Sequence, residues 1–187
     1  KFTAGPAPRM IRPESTTEPG MDFQLREEHQ AFADAVRKFA RGQLAAGALE
    51  RAHSHRYPWD TARQIAEQGL LGIAFDEADG GQGGTLMHAV LAIQEVALVC
   101  PKSADIVQAG NFGPIRTFVE YATPEQKARW LPGLLAGREL IALGMSEPDA
   151  GSAVTELKTS ARIEGDEVVV NGSKVFSTHS PEANLFL

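Results

Sequence analysis

Cysteine is almost absent from this 187-residue sequence, with Cys100 standing alone. A single thiol can form neither an internal disulfide nor a CxxC metal or redox site, so a reducing, intracellular setting is the default expectation. Positive charge is scarce too: 18 Lys and Arg against 24 Asp and Glu leave a net charge of −6, which argues against a nucleic-acid partner. Long apolar runs are also missing, and none approaches the roughly 20 residues of a membrane-spanning helix. No internal repeat recurs at a 20–50-residue period. What is present is a 43% hydrophobic chain, enough to bury the core of one domain or of one and a fraction.

The first twenty residues carry Pro6, Pro8, Pro13 and Pro19 without helical or alternating period. They read as an extended leader or engineered remnant over residues 1–20, with Met21 as the original start. From Asp22 the pattern becomes helical, with Phe23, Leu25, Phe32, Val36, Phe39 and Leu44 set among charged residues. It predicts one long amphipathic helix over 25–49. A second helix is expected over 60–68, capped by Asp60 and stopped by Gly69. Further helices are expected over 86–99, ended by Pro101, and over 104–121, weakened by Gly110 and Gly113. The last covers 124–136, where Thr123, Pro124, Glu125 and Gln126 form a strong start signal.

Beyond Gly137 the period changes to two. Residues 168–170 and 174–176 flank Asn171-Gly172, the dipeptide suited to a tight hairpin turn. The fold class is therefore α+β: an all-α domain over 21–137, then the first strands of an antiparallel β domain over 138–187. Residues 184–187 look like a strand that has just begun, so a longer polypeptide is expected.

Several local constellations could carry chemistry. Gly80, Gly81, Gly83 and Gly84 could cradle a phosphate, but neither a P-loop lysine nor a strict GxGxxG accompanies them, and close backbone approach is the better reading. Ser146 or Ser152 could serve a Ser/His/Asp hydrolase, yet neither lies in GxSxG. His53 and His55 lack a third metal ligand. Asn171-Gly172-Ser173 matches a glycosylation sequon that an intracellular protein would not use. Glu147 and Asp149 could be an acid pair or turn-forming residues. The turn after residues 141–145 offers backbone N–H groups and two hydroxyls, which suit an electron-rich ring or a pyrophosphate.

The stretch LGMSEPDAGS, followed about twenty residues later by VVNGSKVFST, resembles the paired flavin-loop motifs of the acyl-CoA dehydrogenases. The likeness extends over 21–187: MDFQLREEHQAFADAVRKFA is similar to the opening helix, and FDEADGGQGG to the family's Glu-Glu-Tyr-Gly-Gly loop. It implies an N-terminal helical domain, a middle β-barrel and a C-terminal four-helix domain, the last absent from this chain, with FAD held between them. Leu143, Met145 and Ser146 would lie along the flavin ring, Ser146 donating a hydrogen bond where many members have threonine. Gly151 and Ser152 would approach the FAD pyrophosphate, with Ser152 also near the CoA arm of the substrate. Phe176 and Thr178 would lie against the flavin from the second motif. Residues around 107–112 would help to shape the acyl pocket.

The reaction so implied is α,β-dehydrogenation of an acyl-CoA thioester, with an electron-transfer flavoprotein as acceptor and a homotetramer or dimer as the assembly. The place would be the cytoplasm, or the mitochondrial matrix in a eukaryote. The family's catalytic carboxylate belongs to the C-terminal part, so no residue here is named as base. Ala153 replaces the usual Asp, Glu156 a small residue, and Ser177, His179 and Ser180 stand where Ile, Asn and Gly are frequent. A same-fold oxidase or monooxygenase, or a non-catalytic subunit, is the alternative.

Overall fold

The computed structural model describes residues 24–187; the expected leader and Met21 start lie outside that range. Helix α1, Glu27–Phe39, buries His29, Ala33, Val36 and Phe39 along one stripe, with Glu27 and Glu28 in its first turn and Arg37 and Lys38 in its last. Those charges complement the helix dipole. The helix expected over 25–49 does not run through. A π-helical turn, Ala40–Leu44, widens the coil so that Ala40 and Leu44 both face the core, as π segments do when they shift a helix face. Gly47, at φ +71°, then turns the chain into α2, Ala48–His53.

Helix α3, Trp59–Glu67, starts one residue earlier than expected. Asp60 is inside its first turn and pairs with Arg63 instead of capping, whereas Gly69 at φ +68° does end the helix. Helix α4, Leu86–Ala97, is followed by α5, Pro101–Ala109. Pro101 therefore opens a helix as its first residue, where a missing N–H costs nothing. The helix expected over 104–121 is two helices, because Gly113 sits at φ +66°, ψ −131°, outside any helical region. Pro114 restarts the chain as α6, Pro114–Tyr121. Helix α7, Pro124–Leu135, begins as its sequence demands: the Thr123 hydroxyl accepts from the Gln126 N–H, and the Gln126 side chain accepts from the Thr123 N–H at 2.9 Å.

Two apolar clusters organise these helices. Val36, Leu44, Ile65, Leu71, Val96, Ile106 and Val107 belong to one, joining α1, α3, α4 and α5. Phe75, Ile115, Phe118, Leu131, Leu134 and Ile141 form the other, which carries α6 and α7 onto the first strand. Each such fully buried aliphatic side chain contributes about 1.5–3 kcal/mol relative to exposure. Polar ties lock the register. Arg37 donates to both carboxylate oxygens of buried Glu95, at 2.7 and 2.8 Å, holding α1 to α4. Asn111, fully buried, accepts from the Ile73 N–H at 2.6 Å and donates to Leu70 O and Val107 O at 2.9 and 2.8 Å.

The glycine-rich segment after α3 folds back on itself through Gln82 N to Gly72 O, Gly83 N to Phe75 O and Gly84 N to Ile73 O. A Cβ on Gly81 would lie 2.3 Å from Phe75 O, and one on Gly84 2.8 Å from Ile73 O. These glycines serve close backbone approach, as the sequence suggested.

Four strands follow. β1, Ile141–Ala142, pairs with β4, Leu185–Phe186, in parallel; β2, Ser160–Glu164, pairs with β3, Glu167–Asn171, antiparallel. Two expectations are corrected here. The final third is not wholly antiparallel, since β4 returns beside β1 after a long crossover. The hairpin turn is Gly165-Asp166, closed by the pair Glu164↔Glu167, and not Asn171-Gly172. Gly165 at φ +63° takes the first central position of that two-residue turn, the place where type II′ geometry requires glycine. Residues 174–176 form no strand.

Candidate functional site

The loop GMSEPDAGS is built on a tight turn. Glu147 and Ala150 exchange both backbone hydrogen bonds, at 2.9 and 3.1 Å, across Pro148-Asp149. Glu147 then turns inward. Its carboxylate accepts from the Lys174 ammonium at 2.8 Å, from the Lys158 N–H at 2.7 Å and from the Thr159 N–H at 2.9 Å. The Lys174 ammonium foremost, with Thr159 and the Lys158 amide, holds the Glu147 carboxyl well below the usual carboxylate range. Asp149 stays exposed and faces Lys158 at 3.7 Å. The two acids are therefore a brace and a turn residue, not a catalytic pair.

That brace places the two glycine-serine motifs side by side. Lys174 also donates to Met145 O at 3.1 Å, and the Val175 N–H donates to Ser146 O at 2.9 Å. Gly172 permits the approach, because a Cβ there would fall 2.7 Å from Thr159 Cα. Leu143, Met145 and Ser146 from the first motif, and Phe176 and Thr178 from the second, consequently line one cleft of about 380 Å³. Gly151 and Ser152 are exposed on the turn and do not border it.

The opposite wall comes from Asp105, Gln108 and Ala109 of α5 and Pro114 of α6, with His179 between the walls. Within the 107–112 stretch expected to shape the acyl pocket, Gln108 and Ala109 line this wall, whereas Val107 and Asn111 face the core. His179 Nε2 stands 2.9 Å from Asp105 Oδ2, and its ring meets Tyr57 edge to face with centroids 5.2 Å apart. Burial, reinforced by Asp105, pushes the Tyr57 phenol well above its ordinary value. Phe176 and His179 take left-handed backbone at φ 57° and 62°. Left-handed residues other than glycine store strain and concentrate at binding sites. Ser146, His179 and Asp105 thus share a cleft, but among the described residues no hydrogen bond joins the Ser146 hydroxyl to His179. The activated nucleophile of a hydrolase is not assembled.

A larger groove of about 890 Å³ runs between α3, the glycine loop and α7. Its charged lining includes the Lys127–Asp79 pair at 2.9 Å; Gly80 borders it, but none of the residues expected to hold the flavin does. The smaller cleft is the better site, since apolar faces and unengaged hydroxyls converge there.

The residues of the cleft suit a flat, heteroatom-bearing ring. Met145 and Phe176 present exposed apolar surface, Phe176 being 93% exposed, and the Ser146 and Thr178 hydroxyls can donate to ring heteroatoms without adding charge. Sequence reading overlooked Asp105 and gave His179 only as a departure from the second motif, whereas Gln108 falls within the 107–112 stretch expected to shape the pocket. An acid directly before the apolar pair Ile106-Val107 was the available signal for Asp105.

The family model for the N-terminal domain of acyl-CoA dehydrogenases matches residues 26–138, and that for their middle domain matches residues 142–187. The short-chain-specific acyl-CoA dehydrogenase of Clostridium acetobutylicum is 33% identical over 167 residues, 89% of this chain and 44% of its own. Acryloyl-CoA reductase (NADH) of Anaerotignum propionicum is 34% identical over 169 residues, 89% of this chain and 43% of its own. Among solved structures, an acyl-CoA dehydrogenase from Geobacillus kaustophilus superposes with a TM-score of 0.79 at 30% identity, covering 89% of this chain and 44% of that one. The chain spans less than half the length of the curated relatives it matches.

Proposed function

This chain belongs to the acyl-CoA dehydrogenase family, and from that premise we propose that the protein it is part of removes two hydrogens across the α,β bond of an acyl-CoA thioester. The observation that carries the reading is the lacing of the two motifs through Glu147, Lys174 and Val175, which gives one cleft lined by Leu143, Met145, Ser146, Phe176 and Thr178.

FAD fits that wall. When bound, the flavin supplies the hydride acceptor that no side chain can provide. Ser146 and Thr178 would hold it by donating hydrogen bonds, while Leu143, Met145 and Phe176 would cover its ring and exclude water. Gly151 and Ser152 would meet its pyrophosphate, and Ser152 the CoA arm as well. Lys174 and Glu147 act through these residues by fixing the two loops. No residue of this chain is assigned as the base that takes the α proton. Domain limits of 21–137 and 138–187, a homotetrameric or dimeric assembly, an electron-transfer flavoprotein partner and a cytoplasmic or matrix location complete the reading.

The test is an anaerobic titration of the full-length protein, loaded with FAD, with saturated acyl-CoAs of graded length. Bleaching of the flavin absorbance with formation of the 2-enoyl-CoA is the expected result. An unchanged spectrum with every acyl-CoA, in a protein that retains its flavin, would remove the dehydrogenase reading.

A further inference from the structure

The cleft has a second wall that an unsubstituted alkyl chain would not suit. Asp105 and Gln108 project into it from α5, and His179 closes it from the second motif. Asp105 keeps a side-chain exposure of 46% even while its Oδ2 lies 2.9 Å from His179. Among the described residues its Oδ1 has no hydrogen-bond partner. An apolar acyl group packed against this wall would strip water from a carboxylate and a carboxamide and return nothing. An acyl group bearing a hydroxyl or amine hydrogen-bond donor would replace that water with a charge-assisted bond.

The backbone agrees with a built recognition site. His179 holds φ 62°, and the turn around it is fastened by Ser180 N to Ser177 O, Glu182 N to His179 O and Ala183 N to His179 O. Its ring is gripped between Tyr57 and Asp105. The imidazole Nε2 thus flanks one carboxylate oxygen at 2.9 Å without a hydrogen bond between them, and the half-exposed carboxylate remains open to a donor at the cleft.

We propose that Asp105, positioned by His179, selects acyl-CoA substrates whose acyl group carries a hydrogen-bond donor, with Gln108 as an auxiliary contact. This inference rests on the dehydrogenase reading of the same cleft. The reaction is unchanged by it: two hydrogens leave the α and β carbons, and the donor group is neither made nor broken.

The experiment compares 4-hydroxybutyryl-CoA with its near-isostere pentanoyl-CoA on the full-length FAD-loaded protein. The wild type is expected to favour the hydroxylated thioester roughly tenfold or more in kcat/KM, since buried polar groups discriminate strongly against analogues that leave them unpaired. In Asp105→Val the ratio of the two kcat/KM values is expected to fall to about one. Asp105→Asn, a milder change, should lower the ratio several-fold and serves if the valine variant does not retain flavin. Calorimetric binding of the two enoyl-CoA products to the oxidised protein should show the same order without turnover.

A wild-type ratio of one or less overturns the proposal, as does a ratio that neither variant alters. Reduction by pentanoyl-CoA without selectivity would overturn this inference while leaving the dehydrogenase reading intact. Absence of reduction by either thioester would overturn this inference, and absence of reduction by every acyl-CoA of the graded series would overturn the dehydrogenase reading as well.

Discussion

Asn111 and Glu147 are single side chains that set the geometry of the site from beneath. Asn111 joins the end of α5 to the segment before the glycine loop through three buried hydrogen bonds. Replacing it with leucine leaves the Ile73 N–H without a partner, and the expected loss is about 2–3 kcal/mol in urea unfolding of the full-length protein; a loss below about 0.5 kcal/mol would show that the clamp carries no weight. Glu147 has its pKa depressed on folding. Its contribution is thus fully present above the ordinary carboxylate value of about 4.3 and is lost as pH falls toward the lower folded value. Thermal melts should fall with pH below that point in the wild type, and Glu147→Gln should flatten the acid limb. Neither role was legible from sequence. An asparagine near a glycine reads as a turn former, and only the return of residues 70–73 onto α5 turns it into a clamp.

At the scale of elements, sequence reading succeeded where local chemistry and tertiary packing agreed. Helix α7 begins at its Thr123 cap and Pro124 because every signal points the same way. It failed where long-range contacts decide. Asn171-Gly172 has the composition of a turn, yet Gly165-Asp166 makes it, and Gly172 is needed for its approach to Thr159. The glycines separate along the same line. Gly81→Ala puts a Cβ 2.3 Å from Phe75 O, and a destabilisation of about 2 kcal/mol or more is expected from such overpacking. Gly151 has open space around it. Gly151→Ala should hold stability within about 0.5 kcal/mol and weaken FAD binding. Chemical denaturation and flavin titration of the two variants check both halves; equal stability losses would contradict the packing contrast, and unchanged FAD binding by Gly151→Ala would contradict the assignment of Gly151 to the cofactor.

For the molecule as a whole, the order of a helical unit followed by strands, and the pairing of two distant loop motifs, could be read before any coordinates, because order and spacing along 21–187 survive without knowledge of contacts. Of the wall that faces the motifs, Gln108 and Ala109 fall within the expected 107–112 stretch, but the meeting of Asp105 with His179 could not be read, since they are 74 residues apart and come together only when β4 returns beside β1. If the two motifs form one flavin-binding wall, the dissociation constant of FAD for the full-length protein depends on the side chains that line it. Met145, 43% exposed on that wall, is changed to Glu, and Leu86, 48% exposed at the start of α4 outside the cleft, is changed to Glu as the control. An acid placed against the ring should weaken FAD binding at least roughly tenfold, a differential of about 1.4 kcal/mol, with the Leu86→Glu protein indistinguishable from wild type. Undiminished FAD binding by Met145→Glu would contradict the account.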